Sequence, residues 1–221
     1  MKKILQFVFE HKTLSREQAR EVLVNISRGM YNESEITAFV TVFLMRSITI
    51  EELQGFRDAL LELAVKTDLD GYEAIDIVGT GGDGKNTFNI STLSCFIVAG
   101  AGQKVTKHGN YGATSISGAS NVMEQLGYKL SSDSGKLKKE IEETNICFLH
   151  APLFHPALKA VGGIRKNLGI RTFFNMLGPM VNPATPRFQL VGVYNLEMAR
   201  IYTYLLQSTG SSFAIIHSLD G

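Results

Sequence analysis

The sequence predicts an α/β protein: a small all-helical N-terminal domain followed by a mostly parallel α/β domain. Three observations carry this reading. Ser15, Asn32 and Thr49 each open a capping-box-like segment, strands alternate with helices from about Ala74, and a glycine-rich turn separates the first strand from the next helix. The capping pairs are Ser15-x-x-Gln18, Asn32-x-x-Glu35 and Thr49-x-x-Glu52. Each introduces helically spaced apolar residues: Val22, Leu23 and Ile26; then Ile36, Phe39, Val40 and Phe43; then Leu53, Phe56, Leu60 and Leu63. The first two of these helices are predicted to end near Gly29 and Arg46. Residues 1–70 are assigned to the helical domain, with part of 160–180 packing on it, and 71–221 to the α/β domain.

In that second domain, strands are predicted over 74–78, 103–106, 146–150, 189–193 and 213–217. Helices are predicted near 91–99, 118–126, 137–143, 156–167 and 197–208. The last strand is followed at once by Ser218-Leu-Asp-Gly221, without the helix that should cover it, which reads as a fold truncated at its C-terminus.

The bulk properties exclude several function classes. The 221 residues are 44% hydrophobic and 19% charged, which suits a globular protein with one large core or two modest ones. Lys and Arg number 22 against 21 Asp and Glu, a formal charge of +1, so no broad basic face for nucleic acid is expected. No apolar run approaches the ~20 residues that span a bilayer. The opening Met1-Lys-Lys-Ile-Leu-Gln-Phe-Val-Phe-Glu10 is too soon interrupted for a secretion signal, so a cytoplasmic protein without membrane contact is expected. Cys95 and Cys147 both lie in apolar patterns and read as buried thiols.

The most informative stretch is Asp76-Ile-Val-Gly-Thr-Gly-Gly-Asp-Gly84, with Asn86-Thr-Phe-Asn-Ile-Ser-Thr92 behind it. Gly79, Gly81, Gly82 and Gly84 clear side chains from backbone N–H groups, and Asn89, Ser91 and Thr92 stand where a helix N-terminus adds its dipole. The bland alternative is a tight strand-to-helix connection. No Gly-Lys-Ser/Thr closes a P-loop, and the glycines do not keep the G-x-G-x-x-G spacing, so a phosphorylated sugar is the better candidate ligand. A second polar loop follows the second strand: Val105-Thr-Lys-His-Gly-Asn-Tyr-Gly-Ala-Thr-Ser-Ile-Ser-Gly118. Lys107 offers a point charge there, Gly109 and Gly112 a tight backbone, and Asn110, Thr114, Ser115 and Ser117 hydrogen bonds. Both loops are expected beyond the carboxyl ends of their strands, where open α/β sheets bind ligands.

Gly79-Thr-Gly-Gly-Asp83, Asn89-Ile-Ser-Thr92, Lys107-His-Gly-Asn110 and the segment Gly163-Ile-Arg-Lys-Asn-Leu-Gly-Ile-Arg-Thr-Phe-Phe-Asn-Met-Leu-Gly-Pro179 occur in the order found in the anthranilate phosphoribosyltransferase family, which the chain resembles throughout. The resemblance implies a nucleoside phosphorylase/phosphoribosyltransferase-like fold that forms homodimers through the helical domain. It also implies transfer of phosphoribose from phosphoribosyl pyrophosphate (PRPP) to anthranilate in tryptophan biosynthesis, with Mg2+ as cofactor.

Carried over by residue, the resemblance assigns to the PRPP site Gly79, Gly82, Asp83, Thr87, Asn89, Ile90, Ser91 and Thr92, then Lys107, His108, Gly109, Asn110, Tyr111, Gly112, Ala113, Thr114, Ser115 and Ala119. Ser91 would also hold magnesium. Gly79, Asn110, Arg165, His108, His155 and Pro179 would meet anthranilate, with the Arg165 guanidinium matching its carboxylate. Read without the resemblance, Arg165 is a surface helix cation and His155 a local cap before Pro156. No residue is assigned a catalytic proton transfer.

The chain departs from the family's wording at Tyr111 for Arg, Ile116 for Lys, Ala119 for Ser and Asn121 for Asp, which makes backbone contacts the expectation at Tyr111 and Ala119. The family's acidic magnesium pair would fall beyond Gly221, so impaired turnover is expected of this stretch alone. Two rivals are a pyrimidine nucleoside phosphorylase-like enzyme and a non-catalytic nucleic-acid-binding paralogue.

Overall fold

The computed structural model describes residues 1–221 except 70, 83, 86, 113–115 and 219–221. In chain order it contains α1 (Lys2–Phe9), α2 (Arg16–Ser27), α3 (Glu33–Met45), α4 (Ile50–Glu62), β1 (Ile75–Gly79), α5 (Ile90–Gly100), β2 (Val105–Gly109), α6 (Ala119–Gln125) and α7 (Ser134–Thr144). These are followed by β3 (Ile146–His150), α8 (Ala151–Phe154), α9 (Lys159–Leu168), α10 (Phe174–Leu177), β4 (Phe188–Gly192), α11 (Leu196–Gln207) and β5 (Ser212–Ile216). Two compact units result: Met1–Ala64 with His155–Val181, and Val65–Phe154 with Asn182–Gly221.

The first unit is helical. All three predicted capping boxes form, each with side chain and backbone reciprocally bonded. Glu52 does more than close its own box. Its carboxylate accepts from Thr49 N (3.0 Å), from Leu14 N (2.9 Å) and from two nitrogens of Arg46 (2.9 and 2.5 Å) while fully buried. Burial pushes its pKa up, but the Arg46 bond and the backbone amides outweigh this and hold the carboxyl below its ordinary value. Helices α2 and α4 cross at Gly55, where a Cβ would lie 2.2 Å from the Arg16 carbonyl and 2.7 Å from Ala19 Cβ. Phe39, Phe43, Phe56 and Phe173 form a core of edge-to-face and stacked rings with centroids 4.5 to 6.1 Å apart. Phe173 brings the later segment into this core, and Arg57 Nε donates to Met180 O at 3.0 Å.

The second unit is built on a five-stranded parallel sheet in the order β3-β2-β1-β4-β5. One face carries Ile77 and Val105 under Cys95 and Ala99 of α5; the other carries Cys147 and Leu149 under Leu137 and Ile141 of α7. Both cysteines are free and buried, and burial pushes each thiol up to about 12. No described helix is long and apolar enough to cross a membrane.

Two expectations need correction, on the second strand and on the helix over 156–167, and three helices carry no signal in the sequence. Helix α1 carries no sequence signal of its start, because no side chain caps it. β2 runs over Val105–Gly109 rather than 103–106, so Lys107 and His108 are strand residues and not loop residues. Both are buried, which their polar character conceals. The helix predicted over 156–167 is a 3-10 turn at Pro156–Leu158 followed by α9. The short helices α8 and α10 are separate elements that the sequence does not announce.

Candidate functional site

The chain leaves β1 for β2 and β3 on one side, then returns to add β4 and β5 on the other. β1 therefore marks a topological switch, and the segments leaving the carboxyl ends of β1 and its neighbours frame the crevice where such sheets bind ligands. At this edge Gly79 pairs with Gly192, and Thr80 N donates to Gly192 O at 2.9 Å. A Cβ at Gly79 would meet Gly192 O only at 3.8 Å, so the two strands leave the edge uncrowded. Beyond it Gly81, Gly82 and Gly84 adopt φ of +63°, +81° and +72°, a left-handed conformation that admits glycine readily. Thr87 is exposed.

Asn89 is the N-cap of α5, but its side chain makes no capping bond. Its Nδ2 instead donates to Gly118 O at 3.1 Å, tying the first loop to the second. Ile90, Ser91 and Thr92 form the first turn of α5, where the helix dipole favours an anion, although Ile90 N already donates to Phe88 O at 2.8 Å. Thr92 is 3% exposed, and its Oγ1 has no hydrogen-bond partner among the described residues. Lys107 reaches the same turn from β2. Its Nζ, 2% exposed as a residue, donates to Ile77 O at 2.7 Å and to Ser91 Oγ at 3.4 Å.

Behind Lys107, His108 N donates to Asp76 Oδ1 at 3.3 Å. Burial pushes the Asp76 carboxyl up, opposed by the charge of Lys107 and a hydrogen bond from Asn182. Asn182 also donates to Thr106 O at 2.8 Å, so Asp76 and Asn182 brace both strands under the site.

The second loop leaves β2 at Gly109. Asn110 Oδ1 accepts from Tyr111 N at 2.8 Å, and Asn110 O from Ser120 N at 3.1 Å. Tyr111 folds back onto its own unit: its hydroxyl donates to Glu124 at 3.1 Å and its ring stands edge-on to His150 at 4.9 Å. His150 Nδ1 is 2.8 Å from Ser120 Oγ, and burial lowers the His150 pKa. Ala119 packs by its Cβ against Gly109, where an added Cβ would come within 2.9 Å of it. Asp83, Ala113, Thr114 and Ser115, all assigned to the donor, lie outside the described residues.

Arg165, His155 and Pro179 belong to the helical unit. Arg165 is in the last turn of α9, half-buried, with its guanidinium carbon 5.5 Å from the centre of the Phe174 ring. Burial lowers its pKa, and no carboxylate lies within ion-pair distance among the described residues. His155 stands at the N-cap position of the 3-10 turn Pro156–Leu158, but its side chain makes no capping bond. It is 1% exposed, its Nε2–H donates to Val181 O at 2.7 Å, and burial lowers its pKa, so the ring is a built-in part of this unit. Pro179 is buried in the 3-10 turn Gly178–Met180.

The described residues include no group of three His, Cys, Asp or Glu side chains able to hold a metal. Ser91 Oγ has an ammonium 3.4 Å away, which repels a cation. These residues alone do not fit Mg2+.

Sequence reasoning overlooked Asp76, Asn182, His150, Ser120 and the bonding role of Asn121. Only Asn121 carried a readable signal: Gly118-x-x-Asn121 is a capping-box spacing with an amide in place of Glu or Gln, and its Oδ1 does accept from Gly118 N at 2.9 Å.

Comparison with known proteins agrees with this geometry. The model described as glycosyl transferase family, helical bundle domain, matches residues 2–64, and that described as glycosyl transferase family, a/b domain, matches 71–221. The chain is 64% identical to the anthranilate phosphoribosyltransferase of Flavobacterium johnsoniae over 221 residues, covering 100% of this chain and 67% of the relative. It resembles the crystal structure of the Thermus thermophilus anthranilate phosphoribosyltransferase with a TM-score of 0.90 and 32% identity, over 98% of this chain and 66% of that one. The Saccharomyces cerevisiae anthranilate phosphoribosyltransferase in complex with PRPP and Mg matches with a TM-score of 0.85 and 32% identity, over 94% of this chain and 62% of that one. The same yeast enzyme in complex with 4-fluoroanthranilate matches at 0.81 and 30%, over 94% of this chain and 60% of that one. The chain thus spans about two thirds of the length of the relatives it matches.

Proposed function

Because this chain belongs to the anthranilate phosphoribosyltransferase family, we propose that it binds PRPP in its α/β unit and serves transfer of the phosphoribosyl group to the amine of anthranilate. The products are N-(5-phosphoribosyl)anthranilate and pyrophosphate, an early step toward tryptophan. The observation that carries this reading is the convergence of Lys107, Ser91 and the left-handed glycine turn at the switch point of the sheet.

In the reaction the aromatic amine attacks C1 of the ribose. A C–N bond forms, the C1–oxygen bond to pyrophosphate breaks, and the amine then loses a proton to water. The nucleophile needs no prior deprotonation, so the protein's work is positioning and neutralising the leaving group. Lys107 supplies a fixed positive charge, while the glycine turn and the start of α5 supply N–H donors. Thr92 Oγ1 is a buried hydroxyl open to a ligand bond. Arg165, half-desolvated and without a carboxylate partner among the described residues, is suited to the carboxylate of anthranilate. Asn110, His108, His155 and Pro179 are proposed for the acceptor side, His155 through backbone contacts that fix its ring.

Magnesium, which the yeast complex contains, is proposed to enter with the pyrophosphate, whose oxygens are the hard ligands it prefers; no step here depends on it. We further propose a cytoplasmic homodimer associating through the helical unit, supported by the exposed apolar side chains of Phe9, Met30, Leu44 and Met45. A net charge of +1 and the family membership disfavour both nucleic-acid binding and nucleoside phosphorolysis.

The test is to incubate the protein with PRPP, Mg2+ and anthranilate and follow pyrophosphate release and phosphoribosylanthranilate by chromatography. Pyrophosphate release that requires anthranilate supports the reading. Phosphate-dependent cleavage of nucleosides in place of this reaction would overturn it.

A further inference from the structure

Asn121 lies outside every residue assigned above to a substrate, yet one atom of it holds two backbone amides of the second phosphate loop. Its Oδ1 accepts from Gly112 N at 3.2 Å and from Gly118 N at 2.9 Å. Gly118 must be glycine for the same approach: an added Cβ would sit 2.3 Å from Gly112 N, 2.4 Å from Tyr111 C and 2.6 Å from Asn110 O, all backbone atoms. The carbonyl of Gly118 then takes the bond from Asn89 Nδ2, which stands at the N-cap of α5. A chain of side-chain-to-backbone bonds therefore runs from Asn121 through the Gly118 backbone to Asn89, joining the two loops assigned to the candidate anion site.

We propose that Asn121 is a positioning residue for the phosphorylated donor: it ties the backbone of Gly112 to that of Gly118 and, through Gly118, sets the start of α5. This rests on the PRPP reading above for the ligand, but the tie itself does not. A side-chain Oδ1 is the suitable acceptor here, because it takes two N–H groups at once, and both Asn and the Asp of the family's wording supply one. Loss of it would leave the Gly112 and Gly118 donors to water and untie those two residues, so the cost should fall on donor binding rather than on the fold, since Asn121 is only half-buried.

The experiment compares wild type, Asn121→Ala and Asn121→Asp. Donor affinity is read by calorimetry with PRPP and Mg2+, the Michaelis constants by steady-state assay, and exchange of the Gly112 and Gly118 amides by NMR. In wild type both amides should be protected. Asn121→Ala should expose them and weaken PRPP binding about tenfold or more, with the Michaelis constant for anthranilate within about twofold. Asn121→Asp, which keeps the acceptor, should restore protection and recover most of the affinity. Unprotected Gly112 and Gly118 amides in wild type would overturn the proposal, as would a folded Asn121→Ala protein that binds PRPP as wild type does. Should wild type itself not bind PRPP, the donor reading fails, while the amide exchange still decides whether Asn121 ties Gly112 to Gly118. If Asn121→Ala does not fold, Asn121→Ser, too short to span both amides, takes its place with the same expected outcomes.

Discussion

Lys107 Nζ donates to Ser91 Oγ at 3.4 Å, joining the middle of β2 to the first turn of α5. The same nitrogen is fixed by Ile77 O at 2.7 Å, so a cation is held at the helix N-terminus by strand backbone and not by a mobile loop. This preorganisation is what an anion site needs, because the charge is already oriented before the ligand arrives.

Replacing Lys107 by Met keeps the stem and removes the charge. PRPP affinity should fall about tenfold to a hundredfold, roughly 1.4–3 kcal/mol. Calorimetry with wild type and Lys107→Met checks this, and far-UV circular dichroism confirms that the variant is folded. Unchanged affinity would remove Lys107 from the donor site.

Much of this is legible in the sequence, and the failures have definite causes. The capping boxes at Ser15, Asn32 and Thr49 and the strand over Ile146–His150 stand where local chemistry put them, because caps and apolar runs are local signals. Lys107 and His108 read as loop residues because polarity outweighs strand context; only the tertiary partners Ile77 O and Asp76 let them be buried. Tyr111 can be recognised as a missing cation, but its turn toward Glu124 and His150 depends on residues thirteen and more positions away. The Phe173 ring in the helical core and the fixed ring of His155 are likewise contacts across long sequence separations.

Gly55 makes a separate test of the helical unit. Its absent Cβ would meet the Arg16 carbonyl at 2.2 Å, a backbone atom that cannot swing away. Gly55→Ala should therefore cost about 1–3 kcal/mol or more despite its better helix propensity. Thermal unfolding measures this, and a variant as stable as wild type would contradict the close crossing of α2 and α4.

Glu52 gives a pH-dependent prediction. Its folded pKa lies below the ordinary 4.5, so its contribution to stability is complete above that value and is lost as pH falls through the folded pKa. Glu52→Gln leaves the buried Arg46 guanidinium without its counter-charge and should cost about 3–5 kcal/mol at neutral pH. Urea unfolding from neutral to acid pH should show the gap between wild type and variant closing below about pH 4.5. A gap independent of pH would contradict the assignment.

Arg165 should govern the acceptor. Arg165→Ala in the full-length enzyme should raise the Michaelis constant for anthranilate about tenfold or more, at ~1.4 kcal/mol per tenfold, and leave that for PRPP nearly unchanged. Steady-state assays varying each substrate in turn separate the two. A selective loss of PRPP affinity would move Arg165 to the donor.

The central claim is that the turn after β1, the first turn of α5 and the loop after β2 together hold the donor. Backbone amide NMR during titration with PRPP and Mg2+ tests it most directly. The account predicts saturable shifts at Gly81, Gly82, Ser91, Thr92, Lys107 and Gly112, with the amides of α2 and α4 unmoved. Saturable binding whose shifts avoid these residues would contradict it, as would no binding at millimolar PRPP.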